Sequence, residues 1–271
     1  MNNTKPIGIF DSGIGGLTVA KRLSQTLPNE NIIYFGDTAR VPYGSKSNST
    51  VIEYSIQDTN FLISKDVKAI VVACNTASSV AIPELKKQFD IPIIGMIEPG
   101  AVMAIEKSTN KRIGVIGTRA TISNKAYSGE INSIDPTAVV YEKACPLFVP
   151  LAEEGWTDHK ATYKIAEEYL QELKDLDIDT LVLGCTHYPI LYNVIREFMG
   201  KNVKLIDSGV AAARVVKDEI KNTDLENASN EEGVSEFYVS DIPTTFKKIA
   251  ELFLGRPIRD IKKVNLETLS V

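Results

Sequence analysis

Short runs rich in Ile and Val alternate along this chain with stretches of helical periodicity, and that alternation is the pattern of parallel βαβ units. Strands are predicted at Ile7–Phe10, Ile32–Phe35, Ala69–Ala73, Ile93–Met96, Ile113–Ile116, Val139–Tyr141, Thr180–Leu183, Lys204–Ile206 and, late in the chain, Glu236–Val239. Helices are predicted at Gly16–Thr26, Ser49–Lys65, Thr76–Gln88, Pro99–Lys107, Thr121–Ser133, His159–Leu176, Pro189–Met199 and Val210–Asn222. The polar stretch from Asn222 to Ser235 reads as a loop or a partly disordered linker. Beyond it, Asp241 is expected to cap a helix carrying Phe246, Ile249, Ala250 and Phe253, with Gly255 as its stop.

The alternation also repeats itself. Ile7-Gly8-Ile9-Phe10-Asp11-Ser12 is echoed by Ile113-Gly114-Val115-Ile116-Gly117-Thr118. Ala69-Ile70-Val71-Val72-Ala73-Cys74 is echoed by Thr180-Leu181-Val182-Leu183-Gly184-Cys185, and Ile97-Glu98-Pro99-Gly100 by Ile206-Asp207-Ser208-Gly209. An ordered trio at nearly constant offset implies two pseudo-symmetric open α/β lobes with mainly parallel sheets. The expected division is 1–97 plus 207–271 for the Cys74 lobe and 98–206 for the Cys185 lobe. Ligands of open α/β sheets lie beyond the carboxyl ends of the strands, so the site belongs in the cleft between the lobes, with both cysteines facing it.

Each cysteine stands where a buried strand gives way to a helix, a place whose partial positive charge favours thiolate. A single cysteine after a strand is more often a small buried residue. A matched pair in repeated lobes, followed by Asn75-Thr76 and Thr186-His187, points instead to chemistry. Racemising a carbon acid needs a base on one face and an acid on the other. Two thiols suit this, because an ordinary cysteine pKa of about 8.5 makes both protonation states accessible. Asp11 and His187 are candidates to orient or shuttle protons for the thiols; Asp11 is equally placed to cap the Gly13–Thr26 segment.

Bulk properties set the limits. The 271 residues carry a net charge of -5, which argues against a nucleic-acid partner and requires any anion site to be built locally. No apolar run approaches the roughly 20 residues of a membrane span, and the polar start at Met1–Pro6 shows no signal segment. Three cysteines do not suggest a disulfide framework, so the expectation is a cytoplasmic protein with reduced thiols.

The assembled motifs resemble those of glutamate racemases. They are Asp11-Ser12-Gly13-Ile14-Gly15-Gly16-Leu17-Thr18-Val19, Tyr34-Phe35-Gly36-Asp37-Thr38-Ala39-Arg40-Val41-Pro42-Tyr43-Gly44, Ala73-Cys74-Asn75-Thr76-Ala77 and Gly184-Cys185-Thr186-His187-Tyr188-Pro189. Cys145-Pro146-Leu147-Phe148-Val149-Pro150 with Glu153-Glu154-Gly155, and Phe237-Tyr238-Val239-Ser240 with Phe246-Lys247-Lys248, belong to the same likeness, which runs from about Pro6 to Gly255. The resemblance implies interconversion of L- and D-glutamate without pyridoxal phosphate, metal or other cofactor, to supply D-glutamate for peptidoglycan, by a homodimer. It makes Cys74 and Cys185 the proton donor and acceptor, and Asp11, Ser12, Tyr43, Gly44, Asn75, Thr76, Thr186 and His187 the substrate contacts. Thr118 and Thr121 are added as further contacts. Glu153 either assists Cys185 or is a solvated helix-end carboxylate; Cys145 is structural.

Other readings fit less of the chain. The turn Gly13-Ile14-Gly15-Gly16 after the first strand suggests a nicotinamide site, but Thr18 stands where the dinucleotide fingerprint wants glycine. A two-lobed binding protein has no use for paired thiols. Zinc on Cys74, Cys185, His187 and Asp11 lacks ligand pairs of structural spacing, and a dithiol redox enzyme lacks C-x-x-C. An aspartate or hydantoin racemase shares the thiol chemistry, and Pro42-Tyr43-Gly44 with the C-terminal segment favours glutamate.

Overall fold

The computed structural model describes residues 3–244 and 246–266. Its first half runs β1 (Ile7–Asp11), α1 (Leu17–Thr26), β2 (Ile32–Gly36), α2 (Asn48–Ile63), β3 (Ala69–Val72), α3 (Asn75–Ser78), α4 (Ile82–Gln88), β4 (Ile93–Ile94) and α5 (Ile97–Lys107). The second runs β5 (Arg112–Gly117), α6 (Arg119–Ser123), α7 (Ala126–Ile134), β6 (Val139–Ala144), α8 (Phe148–Glu153), α9 (Lys160–Asp175), β7 (Thr180–Gly184), α10 (Tyr192–Met199), β8 (Lys204–Asp207) and α11 (Ser208–Asn222). β9 (Ser235–Val239), α12 (Phe246–Leu254) and β10 (Ile261–Lys263) follow.

The strands form two sheets, ordered β10-β9-β2-β1-β3-β4 and β6-β5-β7-β8, and each strand pairing is parallel. The repeat seen in the sequence is therefore topological: β2-β1-β3-β4 in one lobe is β6-β5-β7-β8 in the other. The central strands β1, β2, β3 and β7 are buried at every position, which is why they read as unbroken apolar runs rather than alternating ones. The late strand is present as β9 and lies beside β2 in the first sheet; β10 extends that sheet and was not anticipated.

Three helices depart from expectation. The stretch 76–88 is not one helix but α3 and α4, because Pro83 lacks the N–H that would bond the carbonyl of Ser79 and its ring collides with it. The stretch 121–133 divides at Lys125, held left-handed at φ 51°, while the neighbouring Asn124 amide is tied to Ser79 and Asn48 of the other lobe. Residues 188–191 form a 3-10 turn ahead of α10. Nor does Asp241 cap α12: its carboxylate accepts from Lys263 Nζ at 2.6 Å, and the helix begins only at Phe246. Gly255 does stop that helix, at φ 75° with its N–H on Glu251 O.

The polar segment after α11 is a loop fastened to the first sheet's lower end. Asn227 is buried and bonds Glu30 and Asn29, Gly233 N–H reaches Pro28 O, and Val234 bonds Asn31 and Ile32.

Candidate active site

The strand ends β1, β3, β5 and β7 meet in one cleft, and a narrow pocket of about 30 Å³ lies there. Cys74 follows β3 and Cys185 follows β7; both line this pocket, together with Ser12, Tyr43, Gly44, Asn75, Thr76, Thr118, Thr186 and His187. Val41, Pro42, Val149 and Gly184 complete the wall and were not among the expected contacts, although Pro42 stood in a loop read as favouring glutamate. Asp11, Thr121 and Glu153 stand behind the lining residues, each bonded to one of them. Cys145 is kept away from the pocket: it is fully buried, its Sγ directed at Lys143 O.

The two thiols are backed differently. The Cys74 thiol donates to Ser12 Oγ at 3.7 Å, and the Asp11 carboxyl is near enough to act on it. Burial, then Asp11, push the Cys74 thiol up to about 12 against the pull of the Ala77 N–H and Ser12. This reverses the expectation of a thiolate favoured by a helix end. α3 is a single four-residue turn, and desolvation outweighs what its N–H groups offer. Cys185 Sγ lies 3.7 Å from His187 Nδ1, whose Nε2 is 3.0 Å from Glu153 Oε1. Burial opposes charge on His187, but the Cys185 sulfur and the Glu153 carboxylate outweigh it and raise its pKa to about 10. Glu153 thus sits where it can support Cys185 through the ring. The ring is also flanked edge-on by Phe253 of α12 at 5.4 Å, a neighbour 66 positions away in sequence that periodicity could not supply.

Asp11 serves the turn and the cleft together. It accepts from the Gly13 N–H at 3.0 Å and from Thr186 Oγ1 of the other lobe at 3.3 Å, and burial raises its pKa. The glycine-rich turn is required by close approach, not by a pyrophosphate. A Cβ on Gly15 would lie 2.3 Å from Thr186 Oγ1 and 2.5 Å from His187 Nδ1. Thr18, the residue that breaks the dinucleotide pattern, donates across the cleft to Thr186 O at 2.9 Å.

Hydroxyls also join the lobes on the far side. Thr76, Thr118 and Thr121 form a triangle with Oγ1 separations of 2.9, 3.0 and 3.2 Å. The Asn75 amide accepts from Tyr127 Oη of the second lobe at 2.7 Å and donates to Ser208 Oγ at 3.4 Å.

Two α/β lobes of one topology, each bringing a buried thiol with polar partners to a shared pocket, define a cleft enzyme of the amino-acid racemase class. The Asp/Glu/hydantoin racemase family matches residues 15–216, and the chain belongs to that family, within it to the glutamate racemases. A glutamate racemase of Geobacter metallireducens is 49% identical over 263 residues, 97% of each chain. The glutamate racemase of Francisella tularensis, solved in complex with D-glutamate, shares 40% identity and a TM-score of 0.91 over 98% of this chain and 99% of that one. A glutamate racemase isoform from Bacillus anthracis shares 36% identity and a TM-score of 0.93, covering 97% and 98%.

Proposed function

We propose that the chain interconverts L- and D-glutamate by passing the Cα proton between Cys74 and Cys185. One observation carries the mechanism: a cysteine from each lobe lines the same pocket, and each has its own proton partners behind it. With Cys74 holding its proton and charged His187 beside Cys185, the Cys185 sulfur takes the Cα proton while the Cys74 thiol donates to the opposite face. The carbon leaves inverted, and the reverse reaction exchanges the roles. The states reset as one net proton passes from Cys185 to Cys74: the His187–Glu153 pair passes the Cys185 proton to solvent and leaves His187 charged, while Asp11 relays a proton from solvent to Cys74.

The substrate's carboxylates and ammonium meet Ser12, Asn75, Thr76, Thr186 and His187, the backbone at Tyr43-Gly44, and the hydroxyls of Thr118 and Thr121. No step in this scheme draws on pyridoxal phosphate or a metal. The Francisella relative, solved with D-glutamate, supports the choice of substrate. The same family membership supports the wider reading: D-glutamate for peptidoglycan, made by a cytoplasmic homodimer whose lobes divide as 1–97 with 207–271 and 98–206. No helix among the described residues is long and apolar enough to cross a membrane.

The test uses purified protein with no added cofactor, in deuterated water. Glutamate of either hand is expected to exchange its Cα proton and lose optical rotation, at a rate that a metal chelator leaves unchanged. Cys74→Ser and Cys185→Ser are each expected to abolish racemisation. Exchange on aspartate but not glutamate would refute the substrate, and full activity in either serine variant would refute the two-thiol scheme.

A further inference from the structure

A second charged cluster lies behind the pocket wall, outside the proton-transfer machinery. Its members are Asp37, just past β2; Arg40 and Tyr43 on the following loop; and Asp58 on α2. Asp37 and Asp58 are fully buried, and Arg40 is 20% exposed in its side chain. Arg40 Nε donates to Asp37 at 2.5 Å, its Nη2 donates to Asp58 Oδ1 at 2.9 Å, and its Nη1 to Gln57 Oε1. The guanidinium also lies over the Tyr54 ring, 4.0 Å from its centre. Ser240, beyond β9, donates to the remaining Asp37 oxygen at 2.9 Å while accepting from Ala39 N–H.

Tyr43 Oη lies 2.5 Å from Asp37 Oδ2 and 3.0 Å from Asp58 Oδ2. A phenol has one proton, and the shorter contact claims it for Asp37. The Asp58 contact then joins two oxygens with no hydrogen between them unless Asp58 supplies one. Charge agrees with the count: two buried carboxyls share one cation, and two buried like charges are not tolerated together. Burial, then Asp37, push the Asp58 carboxyl well above the usual range.

Tyr43 and Gly44 are pocket wall. Gly44 faces Thr118 so closely that a Cβ there would lie 2.8 Å from Thr118 Cβ, so this turn is where the first lobe's loop meets the second lobe over the pocket. We propose that Asp58 is a positioning residue for that wall: as a neutral acid it donates to Tyr43 Oη, and with Asp37 and Arg40 it holds the Tyr43-Gly44 turn in place for the substrate. This rests on the racemase reading of the pocket.

The arrangement makes the two aspartates unequal in a way that substitution can expose. An asparagine at 58 keeps both bonds, its oxygen accepting from Arg40 and its amide donating to Tyr43. An asparagine at 37 would turn an N–H toward donors at a position that only accepts. The experiment measures KM and kcat on both enantiomers for the unaltered protein, Asp58→Asn, Asp58→Leu and Asp37→Asn, with circular dichroism confirming the fold. Asp58→Leu and Asp37→Asn are expected to raise KM by about tenfold, the scale of one lost buried hydrogen bond, with kcat much less affected. Asp58→Asn is expected to restore what Asp58→Leu loses, staying within about twofold of the parent, below what one hydrogen bond is worth. Equal damage from Asp58→Asn and Asp58→Leu, or a harmless Asp37→Asn, overturns the proposal. Infrared spectroscopy gives a readout independent of activity: the carbonyl stretch of a buried protonated acid should be present in the unaltered protein and be lost in Asp58→Asn. An unaltered protein inactive on glutamate yet showing that band would sink the substrate and leave the assignment of Asp58 standing; active protein without the band does the reverse.

Discussion

Each thiol takes its character from one or two contacts, and the pH response follows from them. His187 binds its proton more tightly in the folded chain than the ordinary 6.5 because the Cys185 sulfur and Glu153 outweigh burial. A raised folded value means that the stability this proton adds is complete below about 6.5 and is lost as the pH climbs through about 10. In the proposed reaction the same proton offsets the charge on the Cys185 sulfur before it takes the Cα proton, so the alkaline limb of the activity profile should follow it. Glu153→Gln removes the smaller of the two supports. The Glu153 side chain is 37% exposed, which screens the pair to about 1 kcal/mol at most. The alkaline limb is therefore expected to move down by no more than about 0.7 pH unit, in a profile of kcat/KM against pH for both enantiomers. An alkaline limb that stays in place, with His187 left intact, would disconnect Glu153 from the thiol. These protonation states were not legible in the sequence. The positions of Cys74 and Cys185 at strand ends were, but burial and partners from distant segments decide what a thiol does there, and for Cys74 they defeated the helix-end argument.

At the scale of elements, what was legible is what local patterning specifies. The strands β1 to β9 announced themselves because central parallel strands are continuous apolar runs, and the repeated order of the two sheets was already visible in the echo of Ile7–Ser12 and Ile113–Thr118. The break before Pro83 could have been read from the proline; the one at Lys125 could not, since it falls beside Asn124, whose partners Ser79 and Asn48 are far away in sequence. The buried acid on α2 did leave a trace. Val51, Ser55, Asp58 and Leu62 fall on one helical stripe, all buried, with a carboxyl where a core residue belongs. Glycines sort the same way, by what surrounds them. Gly15 abuts Thr186 and His187, so Gly15→Ala is expected to push the two lobes' catalytic segments apart and cost about a hundredfold in kcat/KM, the scale of a 1 Å misplacement. Gly129, on an exposed face of α7 with nothing within 4 Å of an added Cβ, is the control. Gly129→Ala is expected to stabilise the chain by roughly 0.5–1 kcal/mol with unchanged kinetics. Thermal melts and steady-state rates on the pair check both; comparable activity in the two variants would show that the turn tolerates more room than the distances allow.

The whole molecule couples these parts through the seam between its lobes. One apolar core runs across it, from Ile9 and Tyr34 of the first sheet through Leu17 and Phe253 to Leu183 of the second sheet and Tyr188 in the turn beyond it. On the pocket side the seam is polar instead: the Thr76–Thr118–Thr121 hydroxyls, Thr18 on Thr186 O, Asp11 on Thr186, and Asn48 on Asn124. Hydrogen bonds exchange readily with water, whereas an apolar contact of this extent does not part without exposing its area. The seam therefore resists opening on its apolar side and yields on its polar side. The pocket requires such a motion, because about 30 Å³ accommodates roughly one water and glutamate brings two carboxylates and an ammonium. On the proposed reading of the pocket, binding is expected to favour a wider arrangement of the same contacts, with the hydroxyls and turn N–H groups transferred from each other to the substrate. Amide hydrogen exchange locates the motion. The segments 41–45, 74–77 and 118–121 are expected to exchange faster than the central strands in the free protein and to slow when D-glutamate is added. Segments across the apolar side, such as 181–183 and 250–254, are expected to change little. Protection that appears equally on both sides of the seam would mean that the lobes separate as a whole, and the polar seam would lose its role as the side that opens.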